Sequence, residues 1–78
     1  MNKIGNRVMP NKLREIRIRS GIPLPRLADA AGLAARTISK VEGGRPVAPT
    51  TRVKILDAYN RLAKKIGLEA VTYEALYS

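Results

Sequence analysis

Between Leu24 and Gly43 small and apolar residues fall at a spacing that few backbones accept. Leu27 and Ala28 come first, Gly32 stands four residues after Ala28, Ile38 six further on, and Val41 three after that. Two short helices that cross closely explain each position. Only a small side chain fits where the helices touch, which is the place of Ala28. A sharp turn needs one residue at positive φ, and Gly32 takes it without steric cost. Leu33, Ile38 and Val41 then pin the second helix onto the first. The unit matching these constraints together is a helix-turn-helix at about residues 24–43. An ordinary helical hairpin closed by a glycine shares Gly32 and the apolar spacing, and remains the alternative on spacing alone.

The rest of the chain is helical by the same logic. From Pro10 the pattern turns helical, with Leu13, Ile16 and Arg17 on one face and Gly21 closing the segment. The second helix is expected from about Leu24 to Ala31 and the third from about Ala35 to Glu42, ended by Gly43-Gly44. Arg45-Pro46-Val47-Ala48-Pro49 reads as a loop, because two close prolines leave little room for a helix. The longest helix is expected at about Thr51 to Ile66, with Thr50 to cap it and Gly67 to end it. Its stripe is Ile55, Leu56, Tyr59, Leu62, Ala63 and Ile66. A last turn follows Thr72, roughly Tyr73 to Tyr77. No segment alternates as a strand does. The expected fold class is all-α with five helices.

Composition narrows the chemistry. The 78 residues contain no Cys and no His. That removes a disulfide framework, nearly every zinc site, and the nucleophile pairs built on histidine. Asp29, Asp57, Glu15 and Glu42 show no spacing that gathers carboxylates, and Gly43-Gly44 lacks the lysine and preceding strand of a phosphate loop. The chain is expected not to be an enzyme and to use no cofactor and no metal. No apolar run approaches the ~18–20 residues that span a bilayer, so no membrane partner is expected. Met1–Arg7 carries two positive charges without a following apolar stretch, unlike a signal peptide.

The charge has a layout. Fifteen Lys and Arg stand against six Asp and Glu, a net +9. Residues 1–54 hold twelve of the basic and three of the acidic side chains, so all of the net charge lies there. Residues 55–78 are neutral and hold every aromatic residue: Tyr59, Tyr73 and Tyr77. A net charge of roughly 2–8 suffices to keep a small domain soluble, so this excess points to a polyanion, with a protein-facing part behind it. Residues 1–9 show no period and read as a flexible basic arm. Residues 10–78 form one domain, with about 55–78 as a dimerisation region.

With these residues in view, the chain resembles the Xre family of helix-turn-helix regulators, the group of phage lambda repressor and Cro. The resemblance covers about Leu13 to Ile66. It is carried by Leu27-Ala28, Gly32-Leu33, Thr37-Ile38-Ser39-Lys40-Val41-Glu42 and Gly44-Arg45, with Arg17 upstream. It implies a compact five-helix, lambda-repressor-like domain that binds double-stranded DNA as a homodimer on a palindromic operator, its third helix in the major groove. It implies regulation of transcription, as a repressor or autoregulator, in the cytoplasm at the nucleoid, often encoded on mobile elements. It also implies that Arg17 and Glu42 form a structural pair.

With Ile38 and Val41 inward, Arg36, Thr37, Ser39 and Lys40 point outward. Arg36 is the first candidate for a guanine edge, with Lys40, Thr37 and the Ala35 methyl as further base contacts. Arg26, Ser39, Arg45, Thr50 and Arg52 are the candidates for phosphate contacts. Lys3 and Arg7 could follow a groove. The family's capping residue, Gln and Glu at the second helix are here Pro23, Leu24 and Arg26, and Ala34-Ala35 replaces polar base readers. The bare helix start and Arg26 together could hold a phosphate. Tyr59, Leu62 and Ile66 belong to the core. Tyr59, Leu68, Val71, Tyr73, Leu76 and Tyr77 are expected at the dimer interface. The competing reading is a protein-interaction module, such as an antitoxin or antiactivator, with a second protein as its main partner.

Overall fold

The computed structural model describes residues 11–78, and the expected arm over 1–9, with Lys3 and Arg7, lies outside them. Five helices follow one another: α1 Leu13–Arg19, α2 Leu24–Ala31, α3 Ala35–Glu42, α4 Pro49–Lys65 and α5 Tyr73–Tyr77. There is no strand among the described residues. The all-α expectation holds, and the bounds of α2, α3 and α5 coincide with those read from the sequence.

The helix ends share one device. In α1 to α4 a glycine at positive φ follows the last turn, at Gly21, Gly32, Gly44 and Gly67. In each, the next residue's N–H reaches back five positions: Ile22 to Arg17 O, Leu33 to Ala28 O, Arg45 to Lys40 O and Leu68 to Ala63 O. This is the Schellman closure, which satisfies carbonyls that would otherwise be orphaned. At Gly32, φ is 68°, where any side chain would be strained, although a Cβ would meet nothing within 4 Å. Conformation, not space, demands glycine there.

The helix starts are bare. Pro23, Ala34 and Ala48 lead into α2, α3 and α4 in extended conformation, and none offers a side-chain cap. The expected Thr50 cap is corrected here. α4 begins at Pro49, whose fixed φ suits the first helical position, so Thr50 lies inside the first turn. At α5, Thr72 does cap, accepting from the Ala75 N–H at 3.1 Å.

One core joins the elements. Leu13, Leu27, Ile38, Ile55 and Leu76 are its largest fully buried side chains, one from each helix. Burying each contributes about 1.5–3 kcal/mol, so every helix is tied in by at least one such residue. α2 packs chiefly on α4 and α3, while α1 and α4 each touch α5. Ala28 is 4% exposed at the α2 crossing, as its size predicts. Ile66 is a correction: it is 56% exposed, because the helix stops at Lys65 and the turn at Gly67 carries Ile66 off the stripe.

Polar side chains complete the packing. Asn11 donates from Nδ2 to Val41 O at 2.8 Å and accepts the Leu13 N–H at 3.0 Å, joining the start of α1 to the end of α3. Asn60 holds Val71 by both backbone groups, at 2.8 and 3.1 Å. The hydroxyls of Ser20 and Tyr59 share a hydrogen bond of 2.6 Å, which gives the buried phenol its partner.

Candidate nucleic-acid interface

The α2–turn–α3 unit is rigid for three separable reasons. Ile38 and Val41 are 0% and 2% exposed and anchor the inner face of α3. Gly32 sets the turn. Arg17 of α1 holds the far end: its Nε donates to Glu42 Oε2 at 2.5 Å, its Nη2 to Glu42 Oε1 at 3.2 Å, and its Nη1 to Ile22 O at 2.9 Å. The two side chains are 11% and 5% exposed. Arg17 is therefore the structural partner of Glu42 and offers no charge to a ligand.

What remains of α3 faces outward. Ala35, Arg36, Ser39 and Lys40 are all exposed, while Thr37 is half-buried. Residues four apart on a helix stand about 5–6 Å apart at Cβ, so Arg36 and Lys40 form one row and Ala35 and Ser39 the row beside it. The expected base-reading set thus shares one surface, with Thr37 at its edge. No salt bridge among the described residues engages Arg36 or Lys40. Arg45 is exposed in the loop after α3, where its backbone N–H closes the helix on Lys40 O. Thr50 is exposed at the start of α4.

Two phosphate candidates look different in three dimensions. The Arg26 N–H donates to Pro23 O at 3.0 Å, and Pro25 has no N–H, so the start of α2 has fewer free donors than the sequence suggested. The Arg26 side chain stays exposed. Arg52 is turned toward α5: its Nη1 donates to the Tyr73 hydroxyl at 3.3 Å and its guanidinium lies 5.8 Å from the centre of the Tyr77 ring. The Tyr77 hydroxyl in turn donates to Arg52 O at 2.8 Å, and the two tyrosine rings are 4.8 Å apart. Burial raises the Tyr77 pKa well above the phenol range, and Tyr73 adds to this, against a smaller opposing effect of Arg52.

This clasp also alters the expected dimer surface. Tyr59 and Leu76 are 2% and 0% exposed inside the core of this chain, so neither offers a side chain to a second copy. Tyr73 and Tyr77 are half-buried around Arg52, and Val71 is half-buried beneath Asn60. Leu68, 41% exposed, is the one member of the expected set that stands open. The sequence pattern missed this clasp, although the spacing of Tyr73 and Tyr77, one turn apart, marks them as a pair.

A family profile described as a helix-turn-helix domain matches residues 11–76, nearly the whole chain. The chain belongs to the helix-turn-helix domain family. No curated protein and no solved structure matches it significantly. As a helix-turn-helix domain it is a DNA-binding module, and the exposed outer face of α3 is its second-helix surface. No group of carboxylates that could hold a metal ion occurs among the described residues, and no helix there is long and apolar enough to cross a membrane.

Proposed function

We propose that this helix-turn-helix domain is a sequence-specific transcriptional regulator of the Xre type, reading a palindromic operator as a homodimer. The observation that carries the reading is the division of α3: Ile38 and Val41 anchor one face, and Ala35, Arg36, Ser39 and Lys40 are presented on the other. A helix held this firmly can enter a major groove without reorganising. Arg36 reaches a guanine edge, Lys40 a neighbouring base, Thr37 a base from the rim of the face, and Ala35 a thymine methyl. Arg26, Ser39, Arg45 and Thr50 supply phosphate contacts that fix the register. The Arg17–Glu42 pair supports the Xre assignment.

Occupying an operator is enough to repress, so repression or autoregulation in the cytoplasm is the natural output. Dimerisation draws on the C-terminal part of residues 55–78 that remains accessible: Leu68 and the outer edges of Val71, Tyr73 and Tyr77. A two-fold operator then demands matching protein symmetry. Selection from a random duplex pool at physiological salt tests the reading. Enrichment of a palindrome is expected. A pool with no enrichment overturns sequence-specific regulation.

A further inference from the structure

An open groove runs between the start of α2 and the last turns of α4, on elements other than α3. Its first part, about 300 Å³, is lined by Ile22, Pro23, Arg26, Leu62, Lys65 and Ile66. Arg26 and Leu62 also line a second hollow of about 260 Å³, with Asp29 and Ala30. From Pro23 to Ala30 the groove follows α2 for roughly 10 Å, at the ~1.5 Å rise of a helix. That is an elongated seat, not a compact cavity.

Its floor is apolar and its walls are charged alike. Leu62 and Ile22 form closed parts of the floor, while Ile66 is 56% exposed at its edge. Arg26 stands on the α2 wall and Lys65 on the α4 wall, and neither has an ion-pair partner among the described residues. Asp29 lies only at the far end, where Arg61 reaches across from α4 to Ala30 O at 3.0 Å. In a two-fold contact at this groove a second copy would bring the same two cations against Arg26 and Lys65, so like charges would meet across it.

We infer that the groove receives a segment of a different protein, with an aliphatic or aromatic side chain on the Leu62–Ile66 floor and carboxylates between Arg26 and Lys65. No residue of α3 lines the seat, but Arg26, a proposed phosphate contact in the DNA-bound form, is shared, so DNA and the segment compete for its guanidinium.

The test uses the full chain, without DNA, and a fluorescently labelled synthetic peptide carrying two leucines at helical spacing flanked by glutamates. Saturable binding is expected, weakened at least ~10-fold by Arg26→Glu or by Lys65→Glu. Replacing the peptide leucines by serine should abolish it. Lys54→Glu, on the same helix but roughly 16 Å from Lys65 at the helical rise, should leave the affinity unchanged. Thermal melts establish that each surface variant is folded. An equal loss with Lys54→Glu would show only diffuse attraction of a polyanion and overturns the inference. So does the absence of saturable binding, or indifference to Lys65→Glu. If Ile66→Asp abolishes a concentration-dependent dimer in sedimentation, the groove belongs to a second copy and the inference is equally lost.

Discussion

Arg17 and Glu42, 25 residues apart in sequence, are joined by two hydrogen bonds that tie α1 to the last residue of α3. The third contact of the guanidinium, to Ile22 O, extends the tie to the entry of α2. Thus a single buried cation sets the position of both helices of the DNA-binding unit. A buried pair is costly to break from one side, because the remaining charge has lost its solvent as well as its partner. Glu42→Ala should lower stability by about 3 kcal/mol in denaturant titrations. Arg17→Met combined with Glu42→Met should cost less than the two single changes added together, a non-additivity that a double-mutant cycle would detect.

On the outer face of α3 the expectation is reversed. Arg36 and Lys40 are exposed and bury nothing, so Arg36→Ala and Lys40→Ala should leave the melting temperature unchanged. Arg36→Ala should cost about 1–3 kcal/mol of discrimination at one operator position, measured by competition between single-base operator variants. A uniform loss across all sequences would reassign Arg36 to the phosphates.

Salt separates the phosphate contacts from the rest. With Arg26, Ser39, Arg45 and Thr50 on the backbone, operator affinity should fall steeply between low and moderate salt, with a log–log slope of about 0.9 per phosphate neutralised by Lys or Arg. Arg26→Ala should reduce that slope by about one contact and weaken all duplexes alike. An unchanged slope would place Arg26 away from DNA.

Gly32 tests the turn. Its φ of 68° lies in the left-handed region and a Cβ would meet nothing there. Gly32→Ala should therefore destabilise by about 1–2 kcal/mol through backbone strain alone. Gly32→Asn should cost less, since asparagine tolerates that region. Equal losses would mean that a hidden contact, not the backbone, governs the site.

Tyr77 supplies a pH signature. Its phenol is held neutral by burial, so its pKa in the folded chain lies above the 10.0 of the unfolded one. Below pH 10.0 both states hold the proton and no dependence arises. Above it the unfolded chain releases the proton first, so this contribution to stability declines as pH rises. Tyr77→Phe removes the hydrogen bond to Arg52 O and should cost about 1 kcal/mol at neutral pH. It should also flatten the alkaline decline relative to the parent chain, as followed by thermal melts. An identical decline in both proteins would show that Tyr77 does not contribute.

Much of the architecture was legible because it depends on neighbours along the chain. Gly21, Gly32 and Gly67 marked helix ends through a conformational requirement that belongs to the residue itself. Ile38 and Val41 marked the inner face of α3 through the helical period, and with them the outward Arg36 and Lys40. Thr50 was misleading as a cap, while Thr72, read only as the residue before the last turn, is the one that caps. Both residues precede helical patterns, but Pro49 pre-sets the backbone one residue earlier and moves the start of α4.

Other features depend on groups brought together from distant parts of the chain. Tyr59, Leu76 and Tyr77 are apolar-bodied residues of a neutral tail, and composition cannot say whether such residues face a core or a partner. The fold decides it. Ser20, 39 residues before Tyr59, satisfies its hydroxyl inside the core. Arg52 draws Tyr73 and Tyr77 around itself, and Lys12 N–H donates to Leu76 O at 2.9 Å, seating α5 against α1.

The sequence by itself determined the five helices, the turn at Gly32 and the outward face of α3. Each follows from local backbone preference and from the period of the apolar residues. Only the tertiary structure decided which charges stay available. It buries Arg17 against Glu42, turns Arg52 toward two tyrosines, and leaves Arg36, Lys40, Arg26 and Lys65 in solvent. A side chain's availability depends on the desolvation and the partners it meets, and those come from the whole packed chain.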